Sequence, residues 1–323
     1  EEKIGATLDD IVSQDYPPEL LEVIVVDDHS SDRTSEIVET YAGRGVRLIR
    51  LNEERALNSY KKKAISDAIG RAEGELIVTT DADCRMGPGW LKTIVGFYEV
   101  NRFKLISSPV AYFKEQTFFE KLQTLEFLYL IGLGASTIGN KMPSTCNGAN
   151  LAYRKDVFLQ LDGFKGIDDL ASGDDELFLH KVAAAFPGSI GFCKSRAATV
   201  YTYAKPTLSE FLMQRKRWAS KSTRYKNKWV VALGVSIWLF NLVILLSVLA
   251  GLFKPVYLVP AIAALLFKFS AELLFLVPLV RFIKRVKLLA LLPVLSVIHV
   301  LYMVYIGIAG NSGRYDWKGR SVK

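Results

Sequence analysis

Apolar residues follow two regimes along this chain. Up to about residue 228 they come in short runs, each cut off by charged residues. "LEVIVVDDHS" (21–30) is a β-branched run that stops at Asp27–Asp28, the pattern of a buried strand. "SSDRTSEIVETYA" (30–42) follows with a Ser/Asp cap and helical periodicity. "VRLIRL" (46–51) predicts a second strand, "YKKKAISDAIGRA" (60–72) a helix and "ELIVTTDADC" (75–84) a third strand. The opening "EEKIGATLDDIVSQDYP" predicts a helix with no strand ahead of it, as if the chain began late. The order β-α-β-α-β predicts an α/β domain with a mainly parallel sheet. Ligands of such sheets bind at the carboxyl ends of strands, where both acidic pairs, Asp27–Asp28 and Asp81/Asp83, fall.

Beyond residue 228 the apolar runs lengthen to what a bilayer crossing needs, ~20 residues. Residues 229–253 contain no charge, 255–280 contain only Lys268 and Glu272, and 288–310 contain only His299. Lys268 and Glu272 are spaced i, i+4 and predict a pair on one helix face. Three buried helices of a soluble core are the alternative, and the charge-free first run weighs against it. Residues 118–134 are also apolar but carry Glu120, Lys121 and Glu126, which predicts a core or interfacial helix.

Charge sharpens this division. The 323 residues carry 41 Lys and Arg against 33 Asp and Glu, a net +8. Residues 1–228 hold 31 of each sign, so the remaining 10 basic and 2 acidic residues supply the whole excess. Apolar spans with cationic punctuation point to a membrane and away from nucleic acid. The basic loop 281–287 predicts a cytoplasmic face; a third full span would then put the basic tail 311–323 outside, unless one of the runs is re-entrant or interfacial. The predicted organisation is an α/β domain (1–204), a basic interfacial segment (205–228), a membrane region (229–310) and the tail (311–323). Cys84, Cys146 and Cys193 form no CxxC and no even set, which fits a reducing compartment. No secretory leader is visible. His29, His180 and His299 have no ligand spacing and read as incidental.

Four stretches carry candidate chemistry. On an extended chain Asp81 and Asp83 would point the same way and suit a divalent cation on a diphosphate; a polar turn closing a strand is the alternative. Asp27–Asp28 exceed what a helix cap needs, and a carboxylate there would accept a nucleobase N–H. Asp174, Asp175 and Glu176 in "ASGDDELFLHK" either favour a helix N-terminus or supply a general base. "QRKRW" (214–218) lies in a segment with eight basic residues against Glu210, suited to an anionic lipid surface.

"VVDDHSSDRT", "TTDADC", "GDDELF" and "QRKRW", in this order, resemble the D, DxD, D, QxxRW signature of membrane-bound family 2 glycosyltransferases. "YPPELLEVIVVDD" and "CNGANLAYRKDVFLQLDGF" are similar to that family too. The resemblance implies a GT-A nucleotide-sugar-binding domain whose usual first strand would lie before Glu1, followed by membrane helices. It implies that Asp27 and Asp28 meet the base, Asp81 the ribose and phosphates, and Asp83 a Mg²⁺ or Mn²⁺ ion. Asp175 would be the catalytic base, with Asp174 the fallback. Gln214, Arg217 and Trp218 would line the acceptor entrance, with Arg217 near the diphosphate. Asn147, Gly148 and Asn150 would border the acceptor, and Lys62 or Lys63 would approach the nucleotide. The implied activity is inverting transfer from a nucleotide sugar, a UDP-sugar foremost, to a glycan or lipid acceptor. The implied place is the cytoplasmic side of a membrane. Processive polysaccharide synthesis and single-sugar transfer to a lipid both remain open. A non-catalytic scaffold or sensor would not need the full acid set, and a transporter rests on Lys268 and Glu272 alone.

Overall fold

The computed structural model describes residues 1–52, 57–310, 315–317 and 320–322. The chain divides into two compact units. One is built from Glu1–Phe113 and Leu133–Tyr203, the other from Lys114–Gly132 with the chain from Ala204 onward.

The first unit is the α/β domain. It contains α1 (Ile4–Val12), β1 (Val23–Asp27), α2 (Thr34–Glu39), β2 (Val46–Arg50), α3 (Tyr60–Arg71), β3 (Leu76–Thr79), β4 (Arg85–Met86), α4 (Trp90–Asn101), β5 (Leu105–Ser107) and β6 (Val110–Tyr112). After α5 (Phe118–Gly139), which leaves the second unit at Gly132, come β7 (Leu151–Arg154), α6 (Lys155–Gln160), α7 (Glu176–Ala185), β8 (Ile190–Phe192) and β9 (Val200–Thr202). β1 and β2 pair in parallel through α2, as the alternating pattern predicts. The other sheets are mixed. β7 runs antiparallel between β3 and β5, β8 is parallel to β5, and β9 joins β4 antiparallel and β6 parallel. The apolar run of β3 is therefore matched by that of β7, a return strand whose direction the local pattern does not encode.

Among the described residues, two apolar clusters hold this unit. Ile4, Leu8, Val38 and Val46 pack α1 and α2 onto the β1–β2 pair. Leu105, Leu151, Tyr153, Phe158, Phe178 and Leu179 form the larger core behind β5 and β7. Each such buried side chain contributes about 1.5–3 kcal/mol relative to exposure.

The second unit is helical. α8 (Leu208–Ser220) starts with an N-cap: the Thr207 hydroxyl accepts from the Glu210 N–H at 3.2 Å and donates to its carboxylate at 3.0 Å. α9 (Lys228–Gly251), α10 (Leu258–Phe282) and α11 (Leu292–Ala309) follow. With their leading turns, Lys228–Gly251, Pro255–Phe282 and Val286–Ala309 are three helices long and apolar enough to cross a membrane. Residues 114–132 belong here rather than to the α/β domain. Their apolar face, Leu122, Leu125 and Leu128, packs with Leu276, Val280 and Leu288. Lys268 and Glu272 pair as their spacing predicts, and Glu272 also accepts from Ser296 and faces His299 Nδ1 at 3.4 Å. In the tail, β10 (Tyr315–Trp317) pairs with β11 (Arg320–Val322); 311–314, 318–319 and 323 lie outside the described residues.

Candidate active site

The acidic turn is set by its anchors. β3 ends at Thr79, and the Cys84 N–H closes a turn onto the Asp81 carbonyl at 3.1 Å. Asp81 and Asp83 are thus placed by a turn and not, as the extended-chain reading had it, by the strand pleat; the chain has already left the ladder with β7. α1 pins this turn. The Thr7 hydroxyl lies 2.8 Å from the Cys84 carbonyl and 3.0 Å from that of Ala82. Asp10 holds Arg85 through both carboxylate oxygens, at 2.5 and 2.8 Å, and accepts the Met86 N–H at 3.0 Å.

Gly148 links β3 to the α7 acids. The Thr79 hydroxyl donates to its carbonyl at 2.9 Å, and its N–H donates to Asp175 at 3.1 Å. A Cβ on Gly148 would sit 3.2 Å from an Asp174 oxygen and 3.3 Å from the Asp175 Cβ, so glycine permits the close approach. Gly173, at φ +89°, turns the chain into this acidic pair. Asp175 caps α7, accepting the Glu176 N–H at 2.6 Å, and Glu176 is buried with the Thr145 hydroxyl 3.1 Å away. The β3 end, the 147–150 turn and the α7 start therefore meet.

Lys61 binds these parts into one cluster, and the sequence reading missed it. Its ammonium lies 3.1 Å from Asp81 and 3.2 Å from Asp174. Burial alone would lower its pKa, but Asp174, Asp81 and Asp175 overcome that and raise it, so the ammonium stays charged. Its neighbours in the lysine run point elsewhere. Lys62 is buried and donates to the carbonyls of Ile167, Leu170 and Ser172 at 2.6, 2.7 and 2.8 Å, stapling the loop before Asp174. Burial pushes its pKa down to about 8. Lys63 pairs with Asp67 one turn along α3. Both ammonium groups are thus engaged within the chain, where the resemblance leads one to expect Lys62 or Lys63 near the nucleotide. The only signal for Lys61 was the helical phase of α3, which the ambiguous KKK run hid.

The other expected residues separate in the same way. Asp27 is buried with both oxygens in use, accepting from the Ser30 N–H at 3.0 Å and from the Ser35 hydroxyl. Burial would raise its pKa, yet these bonds hold it below the usual carboxylate range. Asp28 stands beside it, 16% exposed and 3.1 Å from His29 Nδ1. His29 is less incidental than it looked: it sits at φ +57° and meets the Tyr60 ring edge-on at 5.9 Å. Asn147 caps its own turn, its side chain accepting the Ala149 N–H at 2.9 Å. Asn150, expected beside the acceptor, is wholly buried. It donates to the Pro109 and Ala198 carbonyls, both at 2.7 Å, and accepts the Trp90 indole N–H at 3.0 Å. It ties strands together and has no surface for a ligand. Gln214, Arg217 and Trp218 lie half-buried on α8 in the second unit. Their neighbour Arg215 is the buried member, paired with Glu126 at 2.5 Å and lying over the Trp218 ring at 4.3 Å.

A divalent cation fits the turn. Among the described residues no three His, Cys, Asp or Glu side chains form a self-sufficient cation site. Asp83, half-buried, makes no hydrogen bond to a described residue. One or two carboxylates finished by phosphate oxygens and water are the donor set Mg²⁺ and Mn²⁺ take on diphosphates. Cys84 beneath is no competitor: burial and the two aspartates push its thiol up to about 12.

Comparison with known proteins agrees with this geometry. Glycosyl transferase family 2 matches residues 1–161. The chain is 24% identical over 169 residues to the glucosyl-dolichyl phosphate glucuronosyltransferase of Haloferax volcanii, covering 50% of this chain and 51% of that protein. It is 28% identical over 229 residues to the probable glycosyltransferase YdaM of Bacillus subtilis, covering 67% and 51%. The chain thus spans about half the length of these curated relatives. The mannosyltransferase PcManGT of Pyrobaculum calidifontis, solved with GDP-Man and Mn²⁺, superposes with a TM-score of 0.54 at 22% identity, covering 93% of this chain and 83% of that one. The sheet topology and the match over residues 1–161 make this chain a member of glycosyl transferase family 2 with a GT-A fold.

Proposed function

We propose that the chain is an inverting, metal-assisted glycosyltransferase at the face of a membrane, its α/β domain on the cytoplasmic side. It moves a sugar from a nucleoside diphosphate donor to an acceptor hydroxyl. The observation that carries this reading is the meeting of Asp81, Asp174, Asp175 and Lys61 at the carboxyl end of β3. A helix cap needs one carboxylate, whereas here Asp174 and Asp175 meet Asp81 and the Lys61 ammonium from two other elements. The ligands solved with the mannosyltransferase, GDP-Man and Mn²⁺, support a nucleotide-sugar donor and a divalent ion.

In this reading Asp28 receives the base, with Asp27 fixing the turn that presents it. Asp81 faces the ribose and phosphates. Asp83 would hold Mg²⁺ or Mn²⁺, which neutralises charge on the diphosphate when bound. Asp175 takes the proton of the attacking hydroxyl, which is a poor nucleophile until a positioned base removes it. Asp175 is suited because the Gly148 and Glu176 N–H groups fix both of its oxygens. The family resemblance assigns Gln214, Arg217 and Trp218 to the acceptor side, Arg217 toward the diphosphate and Trp218 as a flat face for a sugar ring.

The test is a donor panel on membranes containing the full chain. Nucleotide release from UDP-, GDP- and other nucleotide sugars is measured with and without chelator. Release from one donor, abolished by chelator and restored by Mn²⁺ or Mg²⁺, is the expected outcome. Release that chelator leaves untouched removes the metal role, and Asp83→Asn should reproduce the chelated state.

A further inference from the structure

The second unit encloses a cavity of about 480 Å³, within the ~300–1,000 Å³ range of small-molecule sites. Phe119 and Leu122 of α5, Leu212 of α8, and Leu295, Ile298 and Leu301 of α11 supply its apolar wall. Five polar side chains also reach it; four are already engaged, and the fifth, Tyr305, is 51% exposed. Gln123 exchanges two hydrogen bonds with the Lys205 backbone, at 2.8 and 2.9 Å. Glu126 holds Arg215 and faces the Tyr302 hydroxyl at 3.3 Å. His299 faces Glu272. A sugar or nucleotide entering here would leave most of its water-bonded groups without partners. Dry apolar cavities instead take apolar ligands.

The route in has the same character. Ile298 and Leu301 are 46% and 57% exposed on a helix long and apolar enough to cross a bilayer, and Leu208 at the other edge is 59% exposed. In a bilayer, a hydrocarbon chain would enter the cavity over these apolar side chains. The cavity also touches the acceptor segment. Arg215 joins two of its lining residues, Glu126 and Phe211, to Gln214 and Trp218. It pairs with Glu126, lies 4.6 Å over the Phe211 ring, donates to Gln214 at 2.7 Å and covers Trp218.

We propose that this cavity seats the hydrocarbon chain of a lipid-linked acceptor, which makes a membrane lipid the substrate class. The inference rests on the glycosyltransferase reading. The chain anchors the acceptor, Arg215 links the occupied cavity to Gln214 and Trp218, and the polar head carries the hydroxyl.

The experiment uses the full chain in phosphatidylcholine–phosphatidylglycerol vesicles with two photoreactive probes, a diazirine-bearing palmitoyl lipid and a diazirine-bearing isoprenyl phosphate. Cross-links are mapped by peptide mass spectrometry. Labelling of α5, α8 and α11 at the cavity wall is expected, and the probe that labels more strongly identifies a straight or an isoprenoid chain. Leu212→Trp and Ile298→Trp, which fill the cavity, should cut this labelling at least fivefold. They should equally cut the transfer of radiolabelled sugar into chloroform-soluble product. Leu246→Trp, on an exposed part of α9 outside the cavity, should change neither. UDP and GDP binding, unchanged in all three variants, reports that they are folded. Labelling confined to surfaces outside the cavity overturns the proposal, and so does wild-type transfer in both filled variants. Failure of the wild-type chain to bind any nucleotide would instead remove the glycosyltransferase reading, while the labelling result would still decide whether the cavity holds hydrocarbon.

Discussion

Asp175 combines two duties on one carboxylate. One oxygen caps α7 through Glu176 and the other receives the Gly148 N–H. Asp175→Asn keeps an oxygen for the cap but loses the basicity. The expected result is a kcat lowered by about 10²–10⁴, the usual worth of a general base, with donor binding nearly unchanged. Single-turnover rates and nucleotide titration separate these quantities. Asp174→Asn is the control: if it, and not Asp175→Asn, removes the chemical step, the base has been assigned to the wrong neighbour. Lys61 gives a prediction with two signs. Its ammonium, held charged by Asp174 and Asp81, adds positive charge to the acidic turn on which Asp83 would hold a divalent ion. Lys61→Met should therefore bind Mn²⁺ more tightly in a paramagnetic titration and yet transfer more slowly, because Asp81 and Asp174 lose the cation that orients them.

Among the elements, α1 matters more than its place at the start of the chain suggests, since Thr7 and Asp10 anchor the acidic turn from outside the sheet. Asp10 is pulled two ways: burial would raise its pKa, and Arg85 with the Met86 N–H lowers it further. A folded pKa below the unfolded one means that the bond's stabilisation is present above pH 4, near the unfolded value, and fades as pH falls through the folded pKa. Asp10→Asn should cost ~1.5–3 kcal/mol near neutral pH, read as a lower Tm in a thermal-shift series. The gap to the unmodified chain should close as the series enters acid. These elements were unequally legible in the sequence. β1, α2, β2, α3 and β3 announce themselves because each has its own period and its own stop signal. β7 does not announce its antiparallel course, because direction is decided by a partner strand some 70 residues away. Among site residues, the acids were readable because carboxylates at strand and helix ends are conspicuous. Lys61 and the burial of Asn150 were not, since both depend on which side of a helix or turn faces the core.

At the scale of the whole molecule, charge and hydropathy make one argument about the membrane. The segment from Lys205 to Lys228 carries eight basic residues, and the loop 281–287 carries Arg281, Lys284, Arg285 and Lys287. The turn between α9 and α10 carries only Lys254. Basic residues of short loops stay on the cytoplasmic side, so the two rich segments should share one face and Lys254 should lie on the other. If each of the three long apolar helices crosses, two crossings separate the rich segments and one separates each from Lys254, in agreement with the charge rule. A third crossing by Val286–Ala309 would then deliver the tail to the side of Lys254 despite its four basic residues. Single cysteines at Lys254, Lys284 and Lys318, in a chain whose three native cysteines are replaced by serine, test this in sealed inverted vesicles. An impermeant maleimide should label Lys284→Cys at once, and Lys254→Cys and Lys318→Cys only after detergent. Immediate labelling at position 318 would mean that the last apolar helix does not cross, leaving two spans and the tail beside the α8 segment.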